Sequence, residues 1–333
     1  MTTVSGTVSF KMTRDTMSLA ALRLVGAIDP ENTIGPSPTQ LANCAEAANL
    51  LVKEWENTGL ELWVREYAAV FLQKKQQSYV FNSPISGDPA CYSSPLGTGF
   101  LKTTGSGSGS SIGLSAVSTV ATEGIPAITI ATGWNIGAQQ PTGEMVWSTV
   151  QNISGTGVTT NTSIGTCTNG IVYAFKDKLP RPMRLLDGFY RQTGGNDIPC
   201  LIIPRENYNR FGMKSSNGVT IQLYYDPQAY YGTLYVYPTS MATDGVLYLE
   251  ISRPLDDMTS STDDFDFPTE WLNTFKWNLA LSIAPEYEVS EAKYKQIQYM
   301  AQTTLAAARS YDQEAASLYL QPSNWTYTDN RGY

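Results

Sequence analysis

Histidine does not occur once in the 333 residues. Its absence excludes Ser-His-Asp and Cys-His catalysis, His-ligated zinc, and the side chain that switches charge most readily near neutral pH. Chemistry run by carboxylates or lysine stays open. Cysteine is scarce: Cys44, Cys91, Cys167 and Cys200 are widely spaced and form no CxxC pair. No metal or redox motif is expected, and all four read as buried thiols. Charged residues make up only 16%, and the net charge of −8 gives no footprint for gripping a phosphate backbone, which needs clustered Lys and Arg that release counterions. No stretch approaches about 18 apolar residues, and the opening MTTVSGTVSFKMTRDT lacks the apolar core of a signal peptide, so the expectation is a soluble, non-exported protein with no membrane partner. The glycosylation patterns at Asn152, Asn161 and Asn324 then read as chance matches. The glycine runs do not follow a strand and open a helix, as a phosphate loop must, so no nucleotide or other cofactor is expected.

What is abundant is neutral and aromatic. Hydrophobic residues reach 42%, with 20 Tyr and 7 Trp, which predicts a mostly uncharged polar surface carrying aromatic patches suited to protein contacts. The length suits two domains, or one domain with a large insertion.

Periodicity divides the chain. Thr13 can cap a helix carrying Met17, Ala20, Ala21 and Leu24 that stops at Gly26; Thr39 can cap a second, with Leu41, Cys44, Ala45, Ala48, Leu51, Val52 and Trp55 before Gly59. Their narrow, Ala-rich faces predict a closely packed hairpin. GLELWVREY (59–67) then alternates like a strand. From 68 to 260 short apolar runs recur between Gly, Ser and Thr: IPAITIA (125–131), EMVWSTV (144–150), GIVYAF (170–175), VTIQLYY (219–225), GTLYVYP (232–238) and GVLYLEI (245–251). That spacing fits a barrel or a sandwich. TTGSGSGSSIG (103–113) reads either as a flexible linker or as an exposed hairpin loop. Helix returns at Pro268, where Leu272, Phe275, Leu279 and Ile283 form one apolar stripe that Pro285 ends. A further helix begins at Ser290 with Tyr294, Ile297, Ala301, Leu305 and Ala308 on one side. The fold class is therefore α+β: a helical bundle built from both ends of the chain (1–67 and 261–319), an inserted β-rich domain (68–260), and an extended tail (320–333).

Candidate sites are few. Asp256, Asp257, Asp263, Asp264 and Asp266 could hold calcium or act as a catalytic pair, but their spacing matches no EF-hand loop, and a solvated loop leading into a helix N-terminus accounts for them better. No catalytic and no metal residue is assigned. KDKLPRPMRLLDGFYRQ (176–192) holds a basic cluster, with Lys176, Lys178, Arg181, Arg184 and Arg191; a salt bridge between subunits suits it better than DNA phosphates. Trp271 and Trp277 are expected off the apolar stripe, at least one of them facing a neighbouring subunit or solvent. Trp325, Tyr327 and Tyr333 lie in a segment too short and polar to fold alone, and are expected to order against a partner. Of Tyr224, Tyr225, Tyr230, Tyr231, Tyr235 and Tyr237, strand alternation must present one set to a core and leave the other for a partner or for stacking on sugar.

NLALSIAPEY (278–287), together with ALRLVGAID (21–29) and LLVKEWENTGLELW (50–63), resembles the helical head-to-tail adaptor proteins of short-tailed bacteriophages, also called tail accessory or head completion proteins. The middle of the chain, from LPRPMRLLDGFYRQTGGNDIPCLIIPRENYNRFGMK through YYDPQAYYGTLYVYP to DFDFPTEWL, looks like a larger phage version of the same protein. Leu22, Arg23 and Gly26 match the first-helix motif, Trp55, Gly59 and Leu60 the end of the second, and Asn278, Leu279, Ala280, Ile283, Pro285 and Tyr287 the third. The resemblance implies a non-enzymatic virion protein, assembled in the host cytoplasm. It implies a homo-oligomeric ring, typically twelve-fold, with the portal protein above it, the tail nozzle protein below, and genomic DNA passing through the lumen without specific binding. Short members of the family lack the β block, so its role does not follow from them. Two rivals remain: a β-rich receptor- or carbohydrate-binding module of a phage tail, and a carboxylate-dependent hydrolase such as a cell-wall glycosidase.

Overall fold

The computed structural model describes residues 10–29, 31, 35–58, 62–81, 93–121, 126–192, 195–243 and 245–312. The fold is mixed α and β, and the chain divides into two compact units: Met1–Ala47 with Leu60–Leu62 and Thr269–Tyr333, and Ala48–Gly59 with Trp63–Pro268. The tail segment 320–333, with Trp325, Tyr327 and Tyr333, lies outside the described residues, as does Cys91.

In the first unit, α1 (Arg14–Val25) begins where Thr13 accepts a hydrogen bond from the Thr16 N–H. It ends on Gly26 in the left-handed conformation, whose N–H and that of Ala27 turn back to the Leu22 carbonyl. The buried face is Met17, Ser18, Ala21, Leu22 and Val25, so the helix is rotated from the expected face, and Ala20 and Leu24 are half-buried. α2 (Pro38–Thr58) is capped two residues before the expected position, at Ser37: Ser37 and Gln40 exchange side-chain and backbone hydrogen bonds of 3.2 and 2.9 Å. Pro38 then occupies the first helical position, which its missing N–H suits. The expected α1–α2 hairpin does not form. Instead α1 lies against α4 (Leu272–Ile283), which also packs along α5 (Glu291–Tyr311). The reason is the apolar stripe of α4. Leu272, Phe275, Leu279 and Ile283 are all buried, and this larger surface outcompetes the narrow face of α2 for α1. Thr274 and Asn278 donate to the Thr304 and Ala301 carbonyls of α5 at 3.2 and 3.4 Å. A 3-10 turn, Thr269–Trp271, precedes α4, and a second, Ala284–Tyr287, carries Pro285 and closes it.

The second half of α2 belongs to the β-rich unit, because its side chains grip the segment after the last strand. Asn49 donates to the Met258 carbonyl at 3.2 Å and accepts from the Met258 N–H at 3.0 Å. Lys53 donates to the Leu255 carbonyl at 2.9 Å, and the Glu56 carboxylate accepts from the Leu255 N–H. Among the described residues seventeen strands follow in this unit. They are β1 (Arg65–Phe71), β2 (Ser78–Phe81), β3 (Ser93–Pro95), β4 (Phe100–Ser108), β5 (Ser111–Leu114), β6 (Asn135–Gln139), β7 (Met145–Ser154), β8 (Gly157–Thr160) and β9 (Thr166–Phe175). The chain continues through β10 (Arg184–Arg191), β11 (Asp197–Pro199), β12 (Leu201–Ile202), β13 (Asn217–Gly218), β14 (Gln222–Pro227), β15 (Gly232–Tyr237), β16 (Thr239–Ser240) and β17 (Val246–Ser252).

The β-rich unit contains both a barrel and facing sheets. β4 to β9 close on themselves as an antiparallel six-stranded barrel in the order β4-β5-β8-β7-β6-β9, a contiguous stretch inserted between β3 and β10. A five-stranded sheet (β11-β10-β17-β1-β3) faces a four-stranded one (β12-β14-β15-β2), and β13 pairs with β16. The five-stranded sheet is covered on both sides. Ala68 and Val70 of β1 with Leu247, Leu249 and Ile251 of β17 face the second sheet, while Ala69, Phe71, Val246 and Tyr248 face the barrel. On that side Phe71 meets Phe100, Tyr173 and Phe175 at 5.1, 4.7 and 5.3 Å between ring centroids. Double burial explains why GVLYLEI is a continuous apolar run rather than an alternating one.

Several local expectations change. The strand expected over 59–67 begins only at Arg65, after a 3-10 turn at Leu62–Val64. IPAITIA is not a strand: among its described residues only Thr129 makes a bridge, to Ser118, while Ile128 and Ile130 pack onto the barrel core. TTGSGSGSSIG is no linker, and of it only Gly109 and Ser110 form a hairpin turn. The rest is the second half of β4 and most of β5, in direct register. A Cβ on Gly107 would stand 2.2 Å from the Ser111 carbonyl oxygen, so glycine lets the two strands close the barrel wall.

Candidate functional site

In the helical unit the two tryptophans part company. Trp271 is only 2% exposed, a correction to its expected place off the stripe. Four residues before Phe275, it lies within about 40° of that ring on a helical projection, and so on the buried face. Trp277 is half-buried, with the Lys276 ammonium 5.6 Å from its ring centroid, and is the one of the pair with surface to offer. Beside Trp271 runs an open groove of ≈ 270 Å³, lined by Glu270, Trp271, Asn273, Thr274, Thr304, Ala307, Ala308 and Tyr311. The small side chains of Ala307 and Ala308 leave this space. Further along α5, Tyr299 is 67% exposed.

The basic residues do not gather. Arg184 and Arg191 stand at opposite ends of β10, about 20 Å apart at the rise of a strand. Arg181 donates to the Gln228 carbonyl at 3.2 Å. Arg191 is already engaged within its own chain: its guanidinium meets both Asp197 oxygens at 2.6 and 2.8 Å and lies over the rings of Phe189 and Tyr248. That pairing holds the Asp197 carboxyl below its usual range. Arg184 is exposed. No common anion site results from the three.

The acidic segment is a self-braced loop. Asp263 accepts from the Thr259 and Ser260 N–H groups at 2.8 and 2.6 Å. Asp266 forms a two-pronged pair with Arg253 and accepts from the Asp256 N–H at 3.3 Å, and Asp257 pairs with Lys53 at 2.9 Å. Burial, then the nearby Arg253 and Asp266, act on Glu66, and its carboxyl is raised overall. Among the described residues no three Cys, Asp or Glu side chains are grouped to hold a metal ion. Cys44, Cys167 and Cys200 are buried thiols; burial, with Glu286 adding to it, pushes Cys44 up to about 11, and burial pushes Cys200 to about 11.

The tyrosines divide by strand alternation, as their number required. Tyr225 turns toward the interior, where its hydroxyl donates to the Pro182 carbonyl at 2.6 Å and burial pushes its pKa up to about 12. Tyr224 and Tyr235, opposite each other on β14 and β15, face outward and stack at 5.5 Å. Over them lies the short helix α3 (Arg205–Asn209), whose Tyr208 contacts both rings at 5.5 and 5.2 Å. Phe211 stacks on Tyr237 at 4.1 Å. The outward set is thus covered by the chain itself, and the most exposed tyrosines of this group are Tyr230 and Tyr231 between β14 and β15, 81% and 41% exposed. Sequence reasoning missed the partnership of Tyr208 and Phe211, although RENYNRF spaces two aromatics at three residues, the helical interval.

Neither a protein-family profile nor a curated protein matches this chain. What can be read of its action therefore rests on these surfaces. The exposed and half-exposed features, Trp277, Tyr230, Tyr231, Tyr299 and the groove beside Trp271, are mainly aromatic, with Lys276 at Trp277 and Glu270 in the groove lining. Such surfaces bind other macromolecules by shape and apolar area.

Proposed function

We propose that this protein is a non-enzymatic ring adaptor of a short-tailed phage virion, joining the portal vertex to the tail nozzle around the DNA exit channel. The observation that carries the reading is that segments from both ends of the chain make one compact unit, with α1 against α4 and α4 against α5, while the β-rich part is an insertion between them. A helical bundle adaptor domain assembled from the terminal helices is the arrangement that the resemblance in 21–29 and 278–287 implies. The motif residues support it, since Leu22, Leu279, Ala280 and Ile283 are all buried where the helices meet. The β-rich unit then serves as an elaboration on a common helical platform. Mass photometry and negative-stain microscopy of the purified chain, alone and with its portal protein, test the reading. A closed ring that binds the portal is expected; a monomer under both conditions overturns it.

A second reading, a receptor- or carbohydrate-binding module, is favoured by Tyr230 and Tyr231, which are 81% and 41% exposed between β14 and β15, because a solvent-facing aromatic ring is the usual platform for a sugar face. Binding on a glycan array that is lost in a Tyr230→Ala, Tyr231→Ala double variant would support it.

A further inference from the structure

Arg253 directly follows β17, and its N–H donates to the Val64 carbonyl at 2.9 Å, which carries the pairing of β1 with β17 one residue past Ser252. Glu66 stands opposite Ile251 in that register. Opposed residues share a face and faces alternate along a strand, so the Glu66 and Arg253 side chains leave the same side of the sheet as diagonal neighbours, a separation that long side chains bridge. The two are not joined. Both terminal nitrogens of Arg253 go to Asp266, one to each carboxylate oxygen, and these two side chains are only 25% and 30% exposed. Glu66 is left half-buried, with no hydrogen-bond or ion-pair partner among the described residues. Burial raises its carboxyl, with Arg253 opposing and Asp266 adding to the effect.

Asp266 lies 13 residues beyond Arg253, so their pair closes a loop. α2 grips the near limb at Leu255 and Met258, whereas the far limb, 259–265, is mostly exposed and is brought back to Arg253 by Asp266. We propose that Arg253 is a latch with two seats: it holds Asp266 while the far limb is closed and passes to Glu66 when that limb lifts. Removing one partner of a half-buried ion pair is costly because it strands the other charge. A second carboxylate within reach avoids that cost. The far limb is then a strap that opens at low energy while the sheets beneath it stay folded. This inference stands apart from the ring reading and does not depend on it.

The test uses the full chain at pH 7, as wild type, Glu66→Gln, Asp266→Asn and the double variant, with urea midpoints for stability. A protease that cuts before aspartate reads strap opening at Asp263 and Asp264, since cleavage follows the population of the open form. In the wild-type background Glu66→Gln removes an unpaired carboxylate, so the midpoint should rise. Cutting of the strap should slow by about tenfold or more, because opening then strands Arg253. In the Asp266→Asn background Glu66 holds the guanidinium, so the same change should lower the midpoint. A midpoint shift that keeps its sign, or vanishes, between the two backgrounds overturns the latch, and so does strap cleavage in Glu66→Gln as fast as in the wild type. Should Asp266→Asn fail to fold, the cleavage comparison decides alone.

Discussion

At the scale of single residues, the legible features are those whose cause is local. Thr13 and Gly26 bound α1 because a hydroxyl cap and a residue tolerant of positive φ act within one turn. Features set by distant contacts are not legible. Nothing beside Gly137 in the sequence marks it, yet a Cβ there would stand 2.6 Å from the Trp147 ring packed across the strand pair. Gly137→Ala should therefore destabilise by about 1–3 kcal/mol through overpacking, read by denaturant unfolding. The thiols offer a second check. With Cys44 and Cys200 raised to about 11, the thiolate is a minor species at neutral pH, and it grows as pH rises toward that value. Site-resolved alkylation at pH 8 should leave Cys44, Cys167 and Cys200 unmodified in the native protein and label all three once the chain is unfolded. Rapid native labelling of any of them would contradict their burial.

At the scale of elements, periodicity located α4 and its buried stripe, since four apolar residues at helical spacing leave one face to hide. It did not name the partner. α1 packs on α4 rather than on its neighbour in sequence, because packing choice depends on surfaces that come together only in the fold. The same limit misplaced Trp271. Phe275→Ala and Trp271→Ala should each cost about 3–5 kcal/mol, measured by chemical denaturation, for both rings are buried in the monomer. Trp277→Ala, half-exposed, should cost under about 1 kcal/mol, within the usual range for surface changes. Equal losses for all three would mean that the helix buries both sides. Among the strands, clean alternation in GTLYVY located β15, whereas IPAITIA carries the composition of a strand but packs onto the barrel core with a single isolated bridge, Thr129 to Ser118.

At the scale of the whole molecule, the order of helix, β-rich insertion and helix was legible from composition, and the division of the β-rich part into a barrel and facing sheets was not, because one spacing of short strands serves both. The candidate interface was legible only as a tendency toward aromatic, neutral surface. With a net charge of −8 and Arg181, Arg184 and Arg191 dispersed, the purified protein should show no duplex DNA shift at micromolar concentration and physiological salt. A retarded band that fades steeply with added salt would contradict this. Removing residues 320–333 should leave a soluble protein with weakened portal affinity; unchanged affinity would detach Trp325, Tyr327 and Tyr333 from any partner.

The pairing of β1 with β17 also sets a timetable for synthesis. Arg65 finds its neighbour in Ser252 and Phe71 in Val246, with the whole barrel encoded between them. At a translation rate of about 5–20 residues per second, β1 leaves the ribosome roughly 10–35 seconds before β17 exists. The barrel, complete within one contiguous stretch, can close during that wait. β1 can pair with β3 on one edge in that time, but the other edge of its Tyr-Ala-Ala-Val-Phe run stays open until β17 arrives. The nascent chain is therefore most vulnerable to aggregation between emergence of β1 and emergence of β17, and holdase chaperones should crosslink preferentially to stalled chains ending in that interval.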